Sequence, residues 1–256
     1  MVGVRGAGRA GRIGAAATAA AMVALLGGAA VGCGSDGGGR SSAASGGAPG
    51  AASDGASDGV RTSPVADVLA KLPARVEGAK VVVGRADAPH TAQVLVDPKC
   101  GYCAKFEAAG GETLLKRAAD GAVKVEYVLA SFLDRGGASG SVKAVNALRA
   151  SVDAGKFAEY HAAVFASQPR GRFTDELLLR IADRVPGLRG EAFDRAVAGM
   201  TYEGWAGEVE RGFEATGAEG TPLVLVDGRP VGAKDRAMFD AEAFGAALAG
   251  VGVGVG

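Results

Sequence analysis

Short apolar runs alternate with longer amphipathic stretches from residue 63 onwards, and this pattern predicts strands separated by helices. Runs of about four to eight apolar residues are typical of buried strands, whereas apolar residues three and four positions apart are typical of a helix that buries one face. Val123, Val125 and Tyr127 alternate with Lys124 and Glu126, as in a strand with one buried face. The predicted strands are 80–84, 91–96, 123–129 and 223–226, the last followed by a hairpin turn at 227–228.

The amphipathic stretches predict helices, several of which follow one another without an intervening strand. Ser63 before Pro64 is a typical helix start, because serine caps a helix and proline fits its first position. We expect the glycine pair at 110–111 to interrupt the helix that begins near residue 101. The predicted helices are 63–72, 101–119, 141–154, 157–167, 174–185, 191–198, 202–216 and 240–248.

The overall composition argues for a folded domain and against a nucleic-acid partner. Of the 256 residues 48% are hydrophobic, which is ample for a core. The 28 basic residues equal the 28 acidic ones, so no basic field would attract a nucleic acid. Only three cysteines are present, and two of them share one motif, which indicates chemistry and not a disulfide scaffold.

The N-terminal region has the order of a secretory signal. Basic residues precede an alanine-rich apolar run, and small residues stand before Cys33. The segment Ala30-Val31-Gly32-Cys33 is similar to the lipobox of bacterial lipoproteins, although that family usually has leucine where Ala30 stands. The similarity implies that residues 1–32 are removed and that a lipid on Cys33 anchors the chain in a membrane. The alternative is an uncleaved transmembrane helix.

The segment after Cys33 is predicted to be a flexible tether. Residues 33–62 consist largely of glycine, serine, alanine and aspartate, which bury too little apolar surface to offset the entropy of ordering. We therefore expect the folded domain to occupy residues 63–250. The valine–glycine alternation at 251–256 is expected to form a flexible tail without a site.

The candidate chemistry lies in Cys100-Gly101-Tyr102-Cys103, between a predicted strand and a predicted helix. A thiol at a helix N-terminus faces unpaired N–H groups and about half a positive charge, which favour the thiolate. Such a setting lowers a cysteine pKa from about 8.5 to roughly 3.5–7.5. We expect Cys100 to be the exposed nucleophile and Cys103, one turn deeper, to be the resolving thiol.

Two other interpretations of the cysteine pair remain open and fit less well. Half of a zinc site would need further nitrogen or sulfur ligands, and the chain offers only Cys33, His90 and His161. A purely structural cross-link of so small a loop would remove little chain entropy.

Three segments of the chain resemble the DsbA-like group of thioredoxin-fold proteins, and they occur in the order found in that group: 84–89, 97–107 and 220–228. The resemblance implies an α/β thioredoxin fold, with a mixed β-sheet flanked by helices and a helical insertion at about 135–216. It implies that Pro222 is cis and packs, with Thr221, against the cysteine turn, where Gly101 and Tyr102 support the site. The backbone edge at Thr221 would then pair with an extended substrate. A fourth segment, 156–165, is similar to a helix of the family's insertion.

The chain departs from that family in ways that bear on chemistry. Relatives often carry a buried acid six residues before the first cysteine, where this chain has Val94, and we expect Asp97 to point away from Cys103. The strongly oxidising members have histidine inside the motif, whereas Gly101-Tyr102 is similar to the isomerase members. We expect His161 to satisfy a hydrogen bond within the insertion and to play no part in catalysis.

The resemblance implies a lipid-anchored, extracytoplasmic thiol–disulfide oxidoreductase of bacterial type. We expect it to act as a monomer on exported cysteine-containing proteins, with a redox partner in the membrane and with neither a metal nor an organic cofactor. The direction of electron flow stays open, because the enzyme could form disulfides or act as a reductase or isomerase. The alternative outside the enzymes is a non-catalytic lipoprotein that binds peptides.

Overall fold

The computed structural model describes residues 60–61 and 64–254. The strands are β1 Ala74–Glu77, β2 Lys80–Val83, β3 His90–Val96, β4 Val123–Leu129, β5 Leu223–Val226 and β6 Arg229–Pro230. The helices are α1 Ala66–Leu69, α2 Gly101–Phe106, α3 Glu112–Ala119, α4 Ser141–Asp153, α5 Phe157–Ala166, α6 Asp175–Ala182, α7 Glu191–Ala198, α8 Glu203–Ala215 and α9 Ala241–Gly250. A π-helical turn, Glu107–Gly111, joins α2 to α3, and short 3-10 segments lie at Arg135–Gly137 and Ala237–Phe239.

The strands form one mixed sheet in the order β1-β2-β4-β3-β5-β6. Strand β3 lies between β4, to which it is parallel, and β5, to which it is antiparallel. A parallel pair needs a crossover connection, and the helices α2 and α3 supply it. The carboxyl end of β3 is therefore the point where the centre of the sheet leads directly into α2.

The two faces of β3 are both covered, as its apolar sequence predicts. Val94 and Val96 belong to the main core, whereas Leu95 packs on the opposite face with Val209 and Phe213 of α8. Successive side chains of a strand point to opposite faces, so a strand covered on both sides must be apolar throughout. This burial makes β3 a rigid support for the residues that follow it.

Helices α4 to α8 form the insertion between β4 and β5. Helix α5 packs against α2 and the π-helical turn, and α8 packs against β4. The insertion therefore touches the crossover helices that start at the cysteine motif. This architecture is the α/β thioredoxin fold with a helical insertion that the sequence predicts.

The crossover helix continues through the glycine pair, so the predicted interruption is wrong. The backbone of Glu107–Gly111 winds as a π-helix and continues directly into α3. A Cβ atom on Gly110 would lie 2.5 Å from the Met238 carbonyl oxygen, so glycine permits the close approach of the 3-10 segment Ala237–Phe239. The pair serves close packing here and does not end the helix.

Packed residues lie beyond both of the predicted limits of the domain, 63 and 250. Val60 is only 6% exposed and belongs to the core, so the packed chain begins before residue 63. Helix α1 has four residues and starts after Val65 without a side-chain cap, and Ser63 lies outside the described residues. At the other end Val253 is fully buried and its N–H donates to the Leu248 carbonyl, so this part of the expected tail is packed.

Strand β1 was not predicted from the sequence. It has four residues, is paired on one side only and alternates weakly, so its pattern is too short to stand out. Within the described part of the chain no helix is long and apolar enough to cross a membrane. The predicted signal and Cys33 lie outside the described residues.

Candidate dithiol active site

The cysteine pair lies where β3 gives way to α2. Cys100 is the N-cap of α2, with extended backbone angles of φ −74° and ψ 117°. Its N–H donates to the Asp97 carbonyl at 2.9 Å, and its own carbonyl accepts from the Ala104 N–H at 3.2 Å. The turn thus places the Cys100 sulfur over the free N–H groups of the first helical turn.

The surroundings of Cys100 favour its thiolate and lower its pKa to about 5. The main cause is a hydrogen bond from the Cys103 thiol, which outweighs the opposing effect of partial burial. The side chain of Thr221 and the backbone N–H groups of Cys103 and Tyr102 contribute further. Cys100 is half-buried and is a free thiol, so the sulfur combines thiolate character with access.

Cys103 has the opposite environment. Its side chain is fully buried, and burial is the main cause that raises its pKa far above the ordinary value. The hydrogen bond and the negative charge of Cys100 raise the pKa further, and the Thr221 side chain and the Asp97 backbone N–H offset only part of this. At neutral pH the pair therefore consists of one thiolate and one protonated, inaccessible thiol.

The segment before β5 closes the site from the other side. The Thr221–Pro222 peptide bond is cis. The Cys100 sulfur lies 3.4 Å from the Thr221 carbonyl oxygen, which accepts a hydrogen bond from the neutral thiol. Within the described residues the buried Thr221 hydroxyl has no partner at hydrogen-bond geometry, yet it lies close enough to lower the pKa of both sulfurs.

An aromatic surface adjoins the exposed sulfur. Tyr102 is 56% exposed, and its ring centroid lies 5.9 Å from that of Phe239. The Lys105 amino group lies 5.2 Å from the Tyr102 ring centroid, and Gly101 beside it is exposed. An exposed tyrosine backed by a half-buried phenylalanine can pack against an apolar residue of a substrate.

Asp97 is a buried carboxyl group close to the dithiol. It accepts hydrogen bonds from the N–H groups of Lys99 at 2.8 Å and Leu133 at 3.0 Å, and from the Ser141 hydroxyl at 2.5 Å. Burial nevertheless raises its pKa to about 6, and the negative charge of Cys100 adds to the rise. The hydrogen-bond partners of the carboxyl group are Lys99, Leu133 and Ser141, and its pKa responds to the charge of Cys100.

The segment after α5 holds the cysteine turn in place, and sequence reasoning missed it. The Gln168 amide donates to the carbonyls of Pro98 at 2.7 Å and Cys100 at 3.1 Å. The Lys99 amino group donates to the Pro169 carbonyl at 2.5 Å. These partners are about seventy residues apart in the chain, and no local pattern marks a glutamine as one of them.

His161 does not make the hydrogen bond within the insertion that we expected. It is fully buried and its Nε2 lies 3.2 Å from Glu107 Oε1, but the two groups are not aligned for a hydrogen bond. Its ring packs instead against Tyr127, at 4.4 Å between centroids, and Phe165, at 4.8 Å. Among the described residues no group of three or more His, Cys, Asp or Glu could hold a metal ion.

Comparison with known proteins agrees with this geometry. A family model described as thioredoxin matches residues 77–243 of the chain. No curated protein sequence matches it. Among solved structures, MdbA, a thiol-disulfide oxidoreductase from Corynebacterium matruchotii, is 21% identical, with a TM-score of 0.57 over 65% of this chain and 90% of that one.

Two further structures have the same fold. DsbA from Mycobacterium tuberculosis in its reduced form is 22% identical, with a TM-score of 0.52 over 68% of this chain and 99% of that one. BdbD from Bacillus subtilis in its oxidised form is 21% identical, with a TM-score of 0.54 over 64% and 88%. At such identities the likeness shows the fold, which is the DsbA-like thioredoxin fold.

Proposed function

Since the chain belongs to the thioredoxin family, we propose that it is a DsbA-like thiol–disulfide oxidoreductase that acts on cysteine-containing exported proteins. The observation that carries the proposal is the contrast between its two thiols. Cys100 is accessible with a pKa lowered to about 5, whereas Cys103 is buried with its pKa raised. A structural or metal-binding cysteine pair would not need one accessible thiolate and one buried, protonated thiol.

In the oxidising direction the Cys100–Cys103 disulfide takes two electrons from a client dithiol. A client thiolate attacks the Cys100 sulfur, so a client–Cys100 bond forms as the Cys100–Cys103 bond breaks. Cys103 leaves as a thiolate and takes up a proton, because its environment raises its pKa. A second client thiolate then attacks the client sulfur, which forms the client disulfide and releases Cys100 as a stabilised thiolate.

The same two thiols serve the reverse direction. The Cys100 thiolate attacks a client disulfide to form the mixed disulfide, and Cys103 attacks Cys100 to release the client. In either direction the backbone edge at Thr221 would pair with the extended client, beside Tyr102. The supporting groups Gly101 and Pro222 would shape this edge without taking part in proton or electron transfer.

We further propose that the enzyme is extracytoplasmic and anchored by a lipid on Cys33. The support is the similarity of residues 30–33 to a lipobox, followed by a tether whose packed end is at Val60. A membrane redox partner would reoxidise the dithiol. Mass spectrometry of the mature N-terminus tests the anchor, since we expect a diacylated Cys33 as the first residue. An unmodified Cys33 or a chain that retains residues 1–32 would contradict it.

Two assays test the catalytic proposal. The oxidised protein should restore activity to reduced, unfolded ribonuclease, and the Cys100→Ser protein should not. Equilibration with glutathione should give a reduction potential of roughly −130 to −220 mV, between a strong oxidant near −120 mV and thioredoxin near −270 mV. A potential below about −250 mV would assign the protein to the reductases. If the protein carried out no thiol–disulfide exchange, the non-catalytic peptide-binding lipoprotein would be the remaining interpretation.

A further inference from the structure

A groove of about 680 Å³ opens beside the cysteine turn on the side of the helical insertion. Its floor contains the buried Phe165 and the half-buried Leu177. Its rim carries the guanidinium groups of Arg61, Arg170 and Arg180, all of them exposed. We call it the cationic groove.

The cationic groove is joined to the reacting thiol. Ala104, directly after Cys103, lines it, and so does Gln168, whose amide donates to the Cys100 carbonyl at 3.1 Å. Pro169, also in its wall, accepts from the Lys99 amino group. Because an extended chain spans about 3.3 Å per residue, a peptide with its cysteine at Cys100 reaches this groove within a few residues.

The charges of the groove are of one sign. None of the described residues that line it is acidic. Arg61 and Arg170 form no ion pair with any carboxylate in the described part of the chain, whereas Arg180 interacts electrostatically with the exposed Glu176. The whole chain has a formal net charge of +0, so the excess of positive charge in the groove is not a general property of the surface.

We propose that the cationic groove docks an acidic segment of the client next to the cysteine that reacts with Cys100. The inference rests on the proposed function and names the class of client. Guanidinium groups bind carboxylates through paired hydrogen bonds, and their exposed position lets a peptide reach them. Phe165 and Leu177 provide an apolar floor for the aliphatic parts of glutamate side chains.

The first test measures docking without redox chemistry. Fluorescent peptides of about ten residues carry serine in place of cysteine, followed by glutamates, glutamines or lysines. Anisotropy with the full-length mature protein should show about tenfold tighter binding of the glutamate peptide in about 50 mM NaCl, and most of this preference should vanish near 500 mM. Equal affinities for the glutamate and glutamine peptides would overturn the proposal.

Matched variants locate the site. Arg170→Gln combined with Arg180→Gln should weaken binding of the glutamate peptide at least about fivefold. Arg229→Gln removes the same charge at the hairpin beyond β5, at the end of the sheet opposite Cys100, and should leave the affinity unchanged. Equal losses in both proteins would mean a general charge effect and would refute docking in the groove. If these arginines instead governed binding to phosphatidylglycerol vesicles and not to the peptide, the proposal would also be wrong.

The second test separates this inference from the proposed function. Peptides with the cysteine restored are mixed with pre-oxidised protein, and mass spectrometry follows the rate at which the peptide–Cys100 mixed disulfide forms as Cys103 is released as a thiol. We expect the glutamate peptide to react about tenfold faster than the glutamine peptide, and the double arginine variant to lose that preference. Equal rates for both peptides would contradict docking while the redox function stands. No reaction with either peptide, with the serine peptide still bound, would contradict the redox function and leave docking supported.

Discussion

The Cys100 sulfur lies 3.4 Å from the carbonyl oxygen of Thr221, a residue 121 positions further along the chain. This contact joins the start of α2 to the segment that leads into β5. Because β3 pairs with β5, the two segments meet at the same end of the sheet. The reactive sulfur and the backbone edge proposed to bind a client are therefore placed by one strand pairing.

The two thiols should differ in reactivity. Iodoacetamide should alkylate Cys100 of the reduced protein with a rate that rises through about pH 5, because its pKa is about 5 and the thiolate is the reactive form. Cys103 should stay unmodified, since it is buried. Peptide mapping by mass spectrometry measures both sites. The Cys103→Ser protein should accumulate mixed disulfides with clients, and equal alkylation of the two cysteines would contradict these roles.

The stability of the reduced protein should depend on pH through Cys100. Folding lowers the pKa of this thiol from 9.0 to about 5, so its stabilising effect is fully present above pH 9 and is lost as the pH falls through 5. Between pH 5 and 7 the gain is at most about 3 kcal/mol, and solvent screening of the half-buried sulfur reduces it. Urea unfolding of the reduced protein at several pH values measures the effect. The Cys100→Ser protein is the control, and an equal pH dependence there would exclude this cause.

The buried Asp97 carboxyl group should make the stability depend on pH in the opposite direction, and at lower pH than Cys100 does. Burial raises its pKa from 3.8 to about 6, so the folded protein loses stability as the pH rises from 4 to 6. The fall is on the order of 3 kcal/mol. In the oxidised form, which has no thiolate, Asp97→Asn should remove this fall, as urea unfolding would show.

Asp134→Asn is the matched control for that variant. Asp134 also accepts several backbone hydrogen bonds, from Ser139, Gly140 and Val142. Asp134→Asn should leave the fall in stability between pH 4 and 6 in place, whereas Asp97→Asn should remove it. The charge of Cys100 raises the Asp97 pKa, so the reduced Cys100→Ser protein should show a lower Asp97 pKa than the reduced unaltered protein. The carboxyl carbon chemical shift of Asp97 at various pH values measures this, and an equal Asp97 pKa in the two proteins would refute the coupling.

Gln168 should stabilise the cysteine turn. Gln168→Ala removes the donor to the carbonyls of Pro98 and Cys100, and we expect a loss of about 1–2 kcal/mol in the free energy of unfolding. Gln93→Ala is the control, because the Gln93 side chain on the half-buried surface of β3 makes no hydrogen bond within the described residues. Urea unfolding compares the two proteins. Equal stability losses would mean that the contacts with the turn contribute nothing specific.

The sequence by itself determined the strands and helices whose limits follow from the pattern of neighbouring residues. The predicted limits of 123–129 and 223–226 equal those of β4 and β5, because the alternation in the first and the continuous apolar run of the second lie in neighbouring residues. Helix α7 likewise has its predicted limits, 191–198. The cysteine motif was placed correctly at the start of α2, since the end of an apolar run and the start of a helical pattern both fall there.

Tertiary structure decided what depends on partners far apart in the chain. The packing of Val60 and Val253, the bonds from Gln168 to the cysteine turn and the buried network of Asp97 have no signature in neighbouring residues. The glycine pair at 110–111 looked like a break, because only the approach of Met238 explains why glycine is needed there. Periodicity reports whether a side chain is buried, but it does not report which distant group lies against it. The sequence therefore identified the two thiols of the proposed active site, and the fold determined the groups that set their pKa values and hold them in place.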